Sequence, residues 1–336
     1  MCEIALGYTY MHVRILYHDN CFDGATSAAL FTSFYQRCID PKATFQYLGM
    51  SHGPGDVFGA DSFVDEASVE HACVDFRYSP DPRLTWWFDH HQSAFISPAE
   101  RSHFEATHNP RHFYDPAARS CSKFLSQRCA AVYGFDPAPH AELIHWADLI
   151  DGAQFESPTA AVEMREPALQ LMAFVEANRD PALKLRFIDE LRQRPLVDIA
   201  AERYVRAQVE PVLAENRRVV EVLRQRARCE GGVVTYDLSD DTFPSPNKFI
   251  PYYLYPDCHY VVGVSALPGR VKIGVGSNPW YPARRTANIA AICGRYGGGG
   301  HPVVGAVSLA AGQLDRARQV AAEISSELRA AAATEI

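Results

Sequence analysis

The sequence predicts an α/β protein of two domains, with a parallel sheet in the N-terminal domain. Short apolar runs rich in β-branched and aromatic residues alternate with helical patterns over the first half of the chain. A charged, almost wholly helical stretch follows, and strand-like runs begin again after Gly231 and Gly232. A chain of 336 residues is long enough for about two domains.

Four short apolar runs in the N-terminal part are predicted strands, and each ends in polar residues or a turn. They are residues 13–17, 44–48, 71–76 and 84–88. Helices are predicted over residues 25–35, 117–133 and 139–149. Strands that alternate with helices pair in parallel, so their carboxyl ends should meet at one edge of the sheet. We expect a site at that edge.

The rest of the chain is predicted to form a helical connector and a second α/β domain. The pattern is helical from residue 159 to about 228, with Pro195 and Pro211 as interruptions. Strands are then predicted over 233–238, 260–264 and 271–275, and helices over 287–296 and 313–331. The predicted domains are residues 12–195, a linker at 196–228, and a smaller domain at 229–336.

Composition and charge exclude several classes of protein. The formal net charge of −8 argues against a broad basic surface for long nucleic acid. The nine cysteines are irregularly spaced without a CxxC pair, which favours neither a structural zinc site nor a disulfide framework. No apolar run approaches the roughly 18 residues of a membrane span. We expect a soluble, cytoplasmic protein without a membrane partner; a homodimer is one alternative for its assembly.

Four polar clusters with metal-binding side chains each follow an apolar stretch of the chain. They contain His18, Asp19 and Asp23; Asp75; Asp89, His90 and His91; and Asp148 and Asp151. Hard divalent metals such as Mn²⁺ accept this mixture of carboxylate and imidazole ligands. Each cluster alone has an ordinary explanation, since an aspartate after a strand is most often a turn former or a helix cap. The metal hypothesis therefore depends on the whole set and its order.

This set and its order resemble the DHH phosphoesterase superfamily. The family's first motif, a strand followed by His, Asp, Gly and a helix, is similar to residues 17–30, and its triplet to Asp89-His90-His91. Residues 114–120 are similar to a segment of nanoRNase-like members, and residues 155–159 to one of exopolyphosphatases. The resemblance covers nearly the whole chain from about residue 12.

The resemblance implies a two-metal hydrolase and a role for each member of the clusters. Two Mn²⁺ or Mg²⁺ ions would activate a water and neutralise charge on a phosphoryl group. The implied metal ligands are His18, Asp23, Asp75, His90 and Asp151, with Asp19 and Asp148 in reserve. His91 would face the phosphate, supported by Asp89. The implied substrates are short oligonucleotides or small, including cyclic, dinucleotides; the alternatives are an exopolyphosphatase or pyrophosphatase, or a non-catalytic nucleotide-binding module.

A glycine-rich segment near the C-terminus resembles the GGGH loop of the DHH-associated domain. It implies substrate binding by Gly298, Gly299, Gly300 and His301. Glycines let backbone N–H groups approach a phosphate closely, and the histidine adds a donor. A plain turn is the alternative explanation of these glycines.

The chain departs from the family pattern at two positions. Cys21 stands where many members carry an aspartate, so it is a bystander, a ligand to a softer metal, or the mark of a weak metal position. We favour the first. Gly276 stands where nanoRNase-like members carry an arginine, which removes a phosphate contact. Arg284 or Arg285 could supply this phosphate contact, and Arg285 is the residue that we predict.

Overall fold

The computed structural model describes residues 11–53, 57–240, 243 and 247–333. They form two compact units. The first comprises the described residues up to Phe155 together with Arg165–Glu210, and the second comprises Glu156–Met164 together with the described residues from Pro211 onwards. Residues 334–336 of the predicted second domain lie outside the described residues.

The first unit is a parallel sheet covered by helices. Its strands are β1 (His12–His18), β2 (Thr44–Met50), β3 (Val69–Val74), β4 (Leu84–Asp89) and β5 (His112–Tyr114). Its helices are α1 (Phe22–Cys38), α2 (Pro98–Thr107), α3 (Cys121–Tyr133) and α4 (Ala141–Asp151), then α6 (Pro167–Ala177), α7 (Pro181–Gln193) and α8 (Leu196–Ala200). The predicted parallel sheet is confirmed, with strand order β2-β1-β3-β4-β5.

Helix α1 is the centre of the core on one face of this sheet. Every residue from Phe22 to Tyr35 is buried, because α1 packs against the sheet and also against α3, α4 and α7. A second hydrophobic core of the same unit contains the aromatic residues Phe76 and Trp87 packed with Leu16. These two cores fix the carboxyl ends of the strands, where the polar clusters begin.

The second unit is a mixed sheet with its main core under one long helix. It holds α5 (Pro158–Glu163), α10 (Ile250–Leu254), α11 (Ile289–Gly294) and α12 (Leu314–Ala333). Its strands are β6 (Arg228–Glu230), β7 (Val233–Leu238), β8 (Tyr260–Leu267), β9 (Arg270–Ser277), β10 (Gly299–His301) and β11 (Val304–Ala310), in the order β10-β11-β9-β8-β7-β6. The core residues of α12 pack on alternate positions of β8, β9 and β11.

The helical connector differs from its prediction in detail. The long helix α9 (Arg203–Arg226) contains Pro211, which was expected to interrupt it. The missing N–H removes one helical hydrogen bond, but the buried valines at 205, 209 and 219 hold the helix across that point. Within the described ranges, none of the helices combines the length and the apolar composition that a membrane crossing requires.

The predicted start of the helix at residues 117–133 is wrong by one turn. Helix α3 begins at Cys121, because the Ser120 hydroxyl caps it by accepting a hydrogen bond from the backbone N–H of Lys123 at 3.4 Å. The strands β5, β6, β10 and β11 were not predicted. β5 has three residues, and β11 is rich in glycine and alanine, which carry a weak strand signal.

Candidate metal centre

The turn between β1 and α1 brings the first two site residues together. A Cβ atom at Gly24 would lie 2.1 Å from the backbone oxygen of His18, so only glycine allows α1 to start this close to the end of β1. His18 ends β1 and Asp23 lies in the first turn of α1. The close approach of α1 to the end of β1 therefore explains why the motif has a glycine at position 24.

Asp75 lies at the centre of the cluster, directly after β3. Its φ of 56° is left-handed, which is unusual for a residue other than glycine, and it is 1% exposed. One carboxylate oxygen lies 3.3 Å from Nδ1 of His18 and the other lies 3.4 Å from Nε2 of His90. Within the part of the chain that the structure describes, neither oxygen accepts a hydrogen bond. A buried carboxylate that accepts no hydrogen bond is suited to binding a cation.

His90 presents one ring nitrogen to the cluster and uses the other to fix its orientation. Its Nδ1 lies 3.0 Å from the carbonyl oxygen of Ala118, which makes Nδ1 the donor. Nε2 is then left for a metal, 3.4 Å from Asp75 and 3.5 Å from Asp151. Metal-binding histidines usually donate their other ring N–H to a carbonyl or carboxylate oxygen in this way.

Asp23 is held by the N-terminus of α3. The backbone N–H of Cys121 donates to its Oδ2 at 2.6 Å, and that of Ser122 donates to Oδ1 at 3.2 Å. A helix N-terminus stabilises an anion. The same carboxylate forms a possible ligand group with His90 and Asp151, whose ligand atoms lie within 4.8 Å of one another.

The electrostatics of the cluster favour a bound cation. Burial and the neighbouring Asp75 raise the pKa of Asp23 well above its ordinary value, and that of Asp151 to about 6. Burial acts to raise the pKa of Asp75 as well, but the imidazoles of His18 and His90 outweigh it and lower that pKa. Burial likewise opposes a charged His90, yet Asp75 and Asp23 raise its pKa to about 10. The carboxylates thus need positive charge, which a divalent ion would supply.

The donor set therefore fits divalent transition metals. The possible ligand groups are Asp23 with His90 and Asp151, Asp75 with His90 and His91, His18 with Cys21 and Asp75, and His18 with His52 and His91. Mixed carboxylate and imidazole ligands suit Mn²⁺. Burial, Asp75 and Asp23 raise the pKa of the Cys21 thiol, so it is protonated when no metal is bound.

Asp89 and His91 form a pair beside this group. His91 Nδ1 lies 2.7 Å from Oδ1 of Asp89, and the backbone N–H groups of His90 and His91 donate to the same oxygen at 2.8 and 3.3 Å. Asp89 is fully buried. It therefore orients the His91 ring and leaves Nε2 for another partner.

His52 belongs to this region and was not predicted. Its ring lies 4.7 Å from that of His18 and 5.8 Å from that of His91, and it stacks on Phe76 at 4.6 Å. Burial, His18 and His91 lower its pKa, which favours a neutral imidazole. The signal was available, because His52 follows β2 as the other clusters follow their strands.

Two predicted reserve ligands are not brought into the cluster. Both carboxylate oxygens of Asp19 accept hydrogen bonds from Nζ of Lys184, at 2.8 and 2.6 Å. Asp148 pairs with Arg119, with Lys123 at 3.0 Å and with the Ser120 hydroxyl at 3.2 Å. These aspartates hold neighbouring elements together.

Replacing Lys184 with methionine is expected to destabilise the protein without changing its metal affinity. The half-buried Asp19 carboxylate would lose both hydrogen bonds, at a cost of about 1–3 kcal/mol in the free energy of unfolding. Urea denaturation and Mn²⁺ titration measure the two quantities. Adding Asp19→Asn should recover part of the lost stability. A fall in metal affinity in Asp19→Asn alone would instead make Asp19 a ligand.

The predicted substrate-binding residues lie in the second unit. Gly299 to His301 form β10, and a Cβ at Gly298 or Gly300 would lie 2.2 Å from a backbone oxygen of β11. These glycines are therefore needed for close strand packing, whatever they bind. His301 is exposed. Arg285 donates to the carbonyl oxygen of Pro279 at 3.1 Å, and its buried Nε has no partner among the described residues.

Comparison with known proteins supports the fold. No family model matches the chain, and no curated protein matches it. A pGpG-specific phosphodiesterase, PggH from Vibrio cholerae, is similar in structure with a TM-score of 0.68 at 20% identity, over 95% of this chain and 99% of that one. The fold assignment rests on this protein.

Two further solved structures are more distant. An exopolyphosphatase-related protein from Bacteroides fragilis has a TM-score of 0.49 at 10% identity, over 96% of this chain and 93% of that one. RecJ from Thermus thermophilus, solved with Mn²⁺, has a TM-score of 0.41 at 12% identity, over 97% of this chain and 52% of that one. The chain therefore shares the fold of the pGpG-specific phosphodiesterase, with a parallel sheet in one unit and a mixed sheet in the other, in agreement with the two-domain fold expected from the resemblance to the DHH superfamily.

Proposed function

We propose that the protein is a metal-dependent phosphoesterase that hydrolyses short oligonucleotides or small, including cyclic, dinucleotides. The observation that carries this proposal is Asp75, a buried carboxylate that accepts no hydrogen bond from the described residues and lies between His18 and His90. The likeness to a phosphodiesterase supports the reaction class. Two Mn²⁺ or Mg²⁺ ions are proposed, held by His18, Asp23, Asp75, His90 and Asp151. When bound, such ions supply Lewis acidity and an activated water.

The protein's own residues orient these groups. The α3 N-terminus fixes Asp23, and the Ala118 carbonyl fixes His90, so little reorganisation is needed when a cation binds. Burial keeps competing water away from Asp75. The cluster is therefore preorganised to bind a cation.

His91 is proposed to contact the phosphoryl group. Burial acts to lower its pKa, but Asp89 outweighs burial and raises it. The imidazolium is thereby favoured, and its Nε2–H can donate to a phosphoryl oxygen while Nδ1–H donates to Asp89. This arrangement stabilises the negative charge that develops on the phosphoryl oxygens.

Release of product from a 5′-labelled dinucleotide in Mn²⁺ tests the proposal. Wild type should turn it over faster than linear polyphosphate, and His90→Ala should lower kcat/KM by about 100-fold or more, because a ligand is lost. His145→Ala is the matched control, since His145 is an exposed histidine outside the cluster.

Other outcomes decide between the alternatives. Faster turnover of polyphosphate would favour the exopolyphosphatase suggested by residues 155–159. In the structure, Ser157 of that segment caps α5 by accepting from the backbone N–H of Ala160 at 3.1 Å. Tight dinucleotide binding without turnover of either substrate would favour a non-catalytic module. A dimer and a cytoplasmic location stay predictions.

A further inference from the structure

Three histidines form a distinct group at one side of the candidate metal centre. The ring of His52 lies 4.7 Å from that of His18 and 5.8 Å from that of His91, and the rings of His18 and His91 are 5.8 Å apart. One nitrogen of each ring lies within 4.8 Å of the other two. These three residues are called the imidazole group below. Each of the other possible ligand groups of the described residues contains an aspartate, and this one does not.

The donors of the imidazole group suit a metal other than Mn²⁺. Imidazole suits Zn²⁺, Cu²⁺, Fe²⁺ and Ni²⁺, whereas carboxylate and water suit Mg²⁺ and Mn²⁺. Three histidines with an open fourth position are an established ligand set for Zn²⁺. A tetrahedral ion with bonds of about 2.1 Å places two ligand nitrogens roughly 3.4 Å apart. Small rotations of rings whose nitrogens already lie within 4.8 Å of one another therefore complete such a site.

Buried carboxylates lie behind two of the three rings. Nδ1 of His91 lies 2.7 Å from Oδ1 of Asp89, and Nδ1 of His18 lies 3.3 Å from Oδ2 of Asp75. Each of these rings therefore has Nε2 left for a metal. A carboxylate behind a ligand histidine is common in zinc sites, because it fixes the ring and makes the other nitrogen a better donor.

His52 brings the third nitrogen from the loop after β2. That strand pairs with β1, whose last residue is His18, so the two histidines reach the same edge of the sheet. The His52 ring stacks on Phe76 at 4.6 Å, and the full burial of Phe76 keeps this support in place. His52 itself is exposed. An ion from solvent can therefore reach the imidazole group.

The imidazole group and the proposed hydrolytic arrangement need the same two residues. His91 is proposed to donate from Nε2 to the phosphoryl group, and a metal bound at Nε2 takes the place of that proton. His18 is a proposed Mn²⁺ ligand. A neutral imidazole has one nitrogen with a free lone pair, so His18 can serve one ion at a time. The two states therefore exclude each other.

We propose that His18, His52 and His91 form an inhibitory zinc site. Zn²⁺ bound there withdraws His18 from the proposed Mn²⁺ group and His91 from the phosphoryl group, so hydrolysis stops while it is bound. The inhibition rests on the proposed function, whereas the binding of Zn²⁺ does not. His52 distinguishes the two arrangements, since among the possible ligand groups it belongs to the imidazole group alone.

The metal site is tested with Co²⁺, a spectroscopic probe for zinc sites, added to metal-free protein. Wild type should show the visible absorption of four-coordinate Co²⁺, without charge-transfer absorption from a thiolate, and Zn²⁺ should abolish it. His52→Phe keeps a ring on Phe76 but has no ligand nitrogen, so it should lose this absorption and bind Zn²⁺ about tenfold or more weakly. His145→Phe is the matched control, because His145 is an exposed histidine outside the ligand groups.

Inhibition is tested with a labelled dinucleotide in saturating Mn²⁺. The activity of each protein is compared with its own activity before Zn²⁺ is added. Zn²⁺ should inhibit wild type and His145→Phe at the same concentration, and His52→Phe should need about tenfold more. Equal inhibition of wild type and His52→Phe would place the inhibitory ion on the carboxylates and overturn the proposal.

The Co²⁺ spectra separate failure of this proposal from failure of the proposed function. If wild type hydrolyses no dinucleotide but shows Co²⁺ absorption that depends on His52, the hydrolase is wrong and the metal site stands. Absorption that survives in His52→Phe would overturn the site. So would thiolate charge-transfer absorption that disappears in Cys21→Ser, since it would place the ion with Cys21, His18 and Asp75 instead.

Discussion

Replacing Asp75 with asparagine is expected to lower Mn²⁺-dependent hydrolysis by about 100-fold or more, because the cluster loses its central charge. Asparagine has the same shape and also tolerates the left-handed φ of 56° at this position, so the backbone should not be strained. Steady-state kinetics on a labelled dinucleotide measure the loss. Thermal unfolding followed by circular dichroism should still show one folded protein.

Asp148→Asn is the control for this variant. Asp148 comes from one of the predicted clusters, but it is paired with Arg119 and Lys123 outside the ligand groups. We expect its Mn²⁺ affinity to stay near that of wild type, with a modest loss of stability. If both variants lost Mn²⁺ affinity equally, Asp75 would not be the centre of the site.

Replacing Gly24 with alanine is expected to destabilise the protein by about 3 kcal/mol or more and to remove activity. The added Cβ would lie 2.1 Å from the backbone oxygen of His18 and 2.9 Å from its Cβ. Backbone atoms cannot move aside as a flexible side chain can, so the turn between β1 and α1 must shift. That shift would separate His18 from Asp23. Urea denaturation measures the loss of stability.

Gly59→Ala is the matched control in the same unit. A Cβ at Gly59 would meet no atom of the described residues within 4 Å, and its φ is not left-handed. Its unfolding free energy should stay within about 0.5 kcal/mol of wild type. A Gly24→Ala protein as stable and active as Gly59→Ala would show that the close approach is not required.

The parts of the fold that follow from local pattern were predictable. The apolar runs at β1, β2, β3 and β4 gave the parallel sheet, since each ends where polar residues begin. The pattern did not reveal β11, because Gly305, Ala306 and Ala310 give this segment a weak strand signal. Pro211 was expected to break a helix whose buried face in fact holds it together.

The candidate site was predictable as a set and less so residue by residue. Strand ends placed Asp75 and His90 together, because parallel strands finish at one edge of the sheet. The sequence could not show that Lys184, far along the chain, pairs with Asp19. It also did not single out His52, whose place in the group depends on stacking with Phe76. These contacts are tertiary and leave no local signal.

Calorimetric titration of metal-free wild type and Asp75→Asn with Mn²⁺ tests the central claim most directly. The arrangement of His18, Asp23, Asp75, His90 and Asp151 predicts two ions per wild-type chain, and weaker binding of at least one of them in Asp75→Asn. Wild type that binds no Mn²⁺, or a variant that binds it as tightly as wild type, would contradict the proposed metal centre.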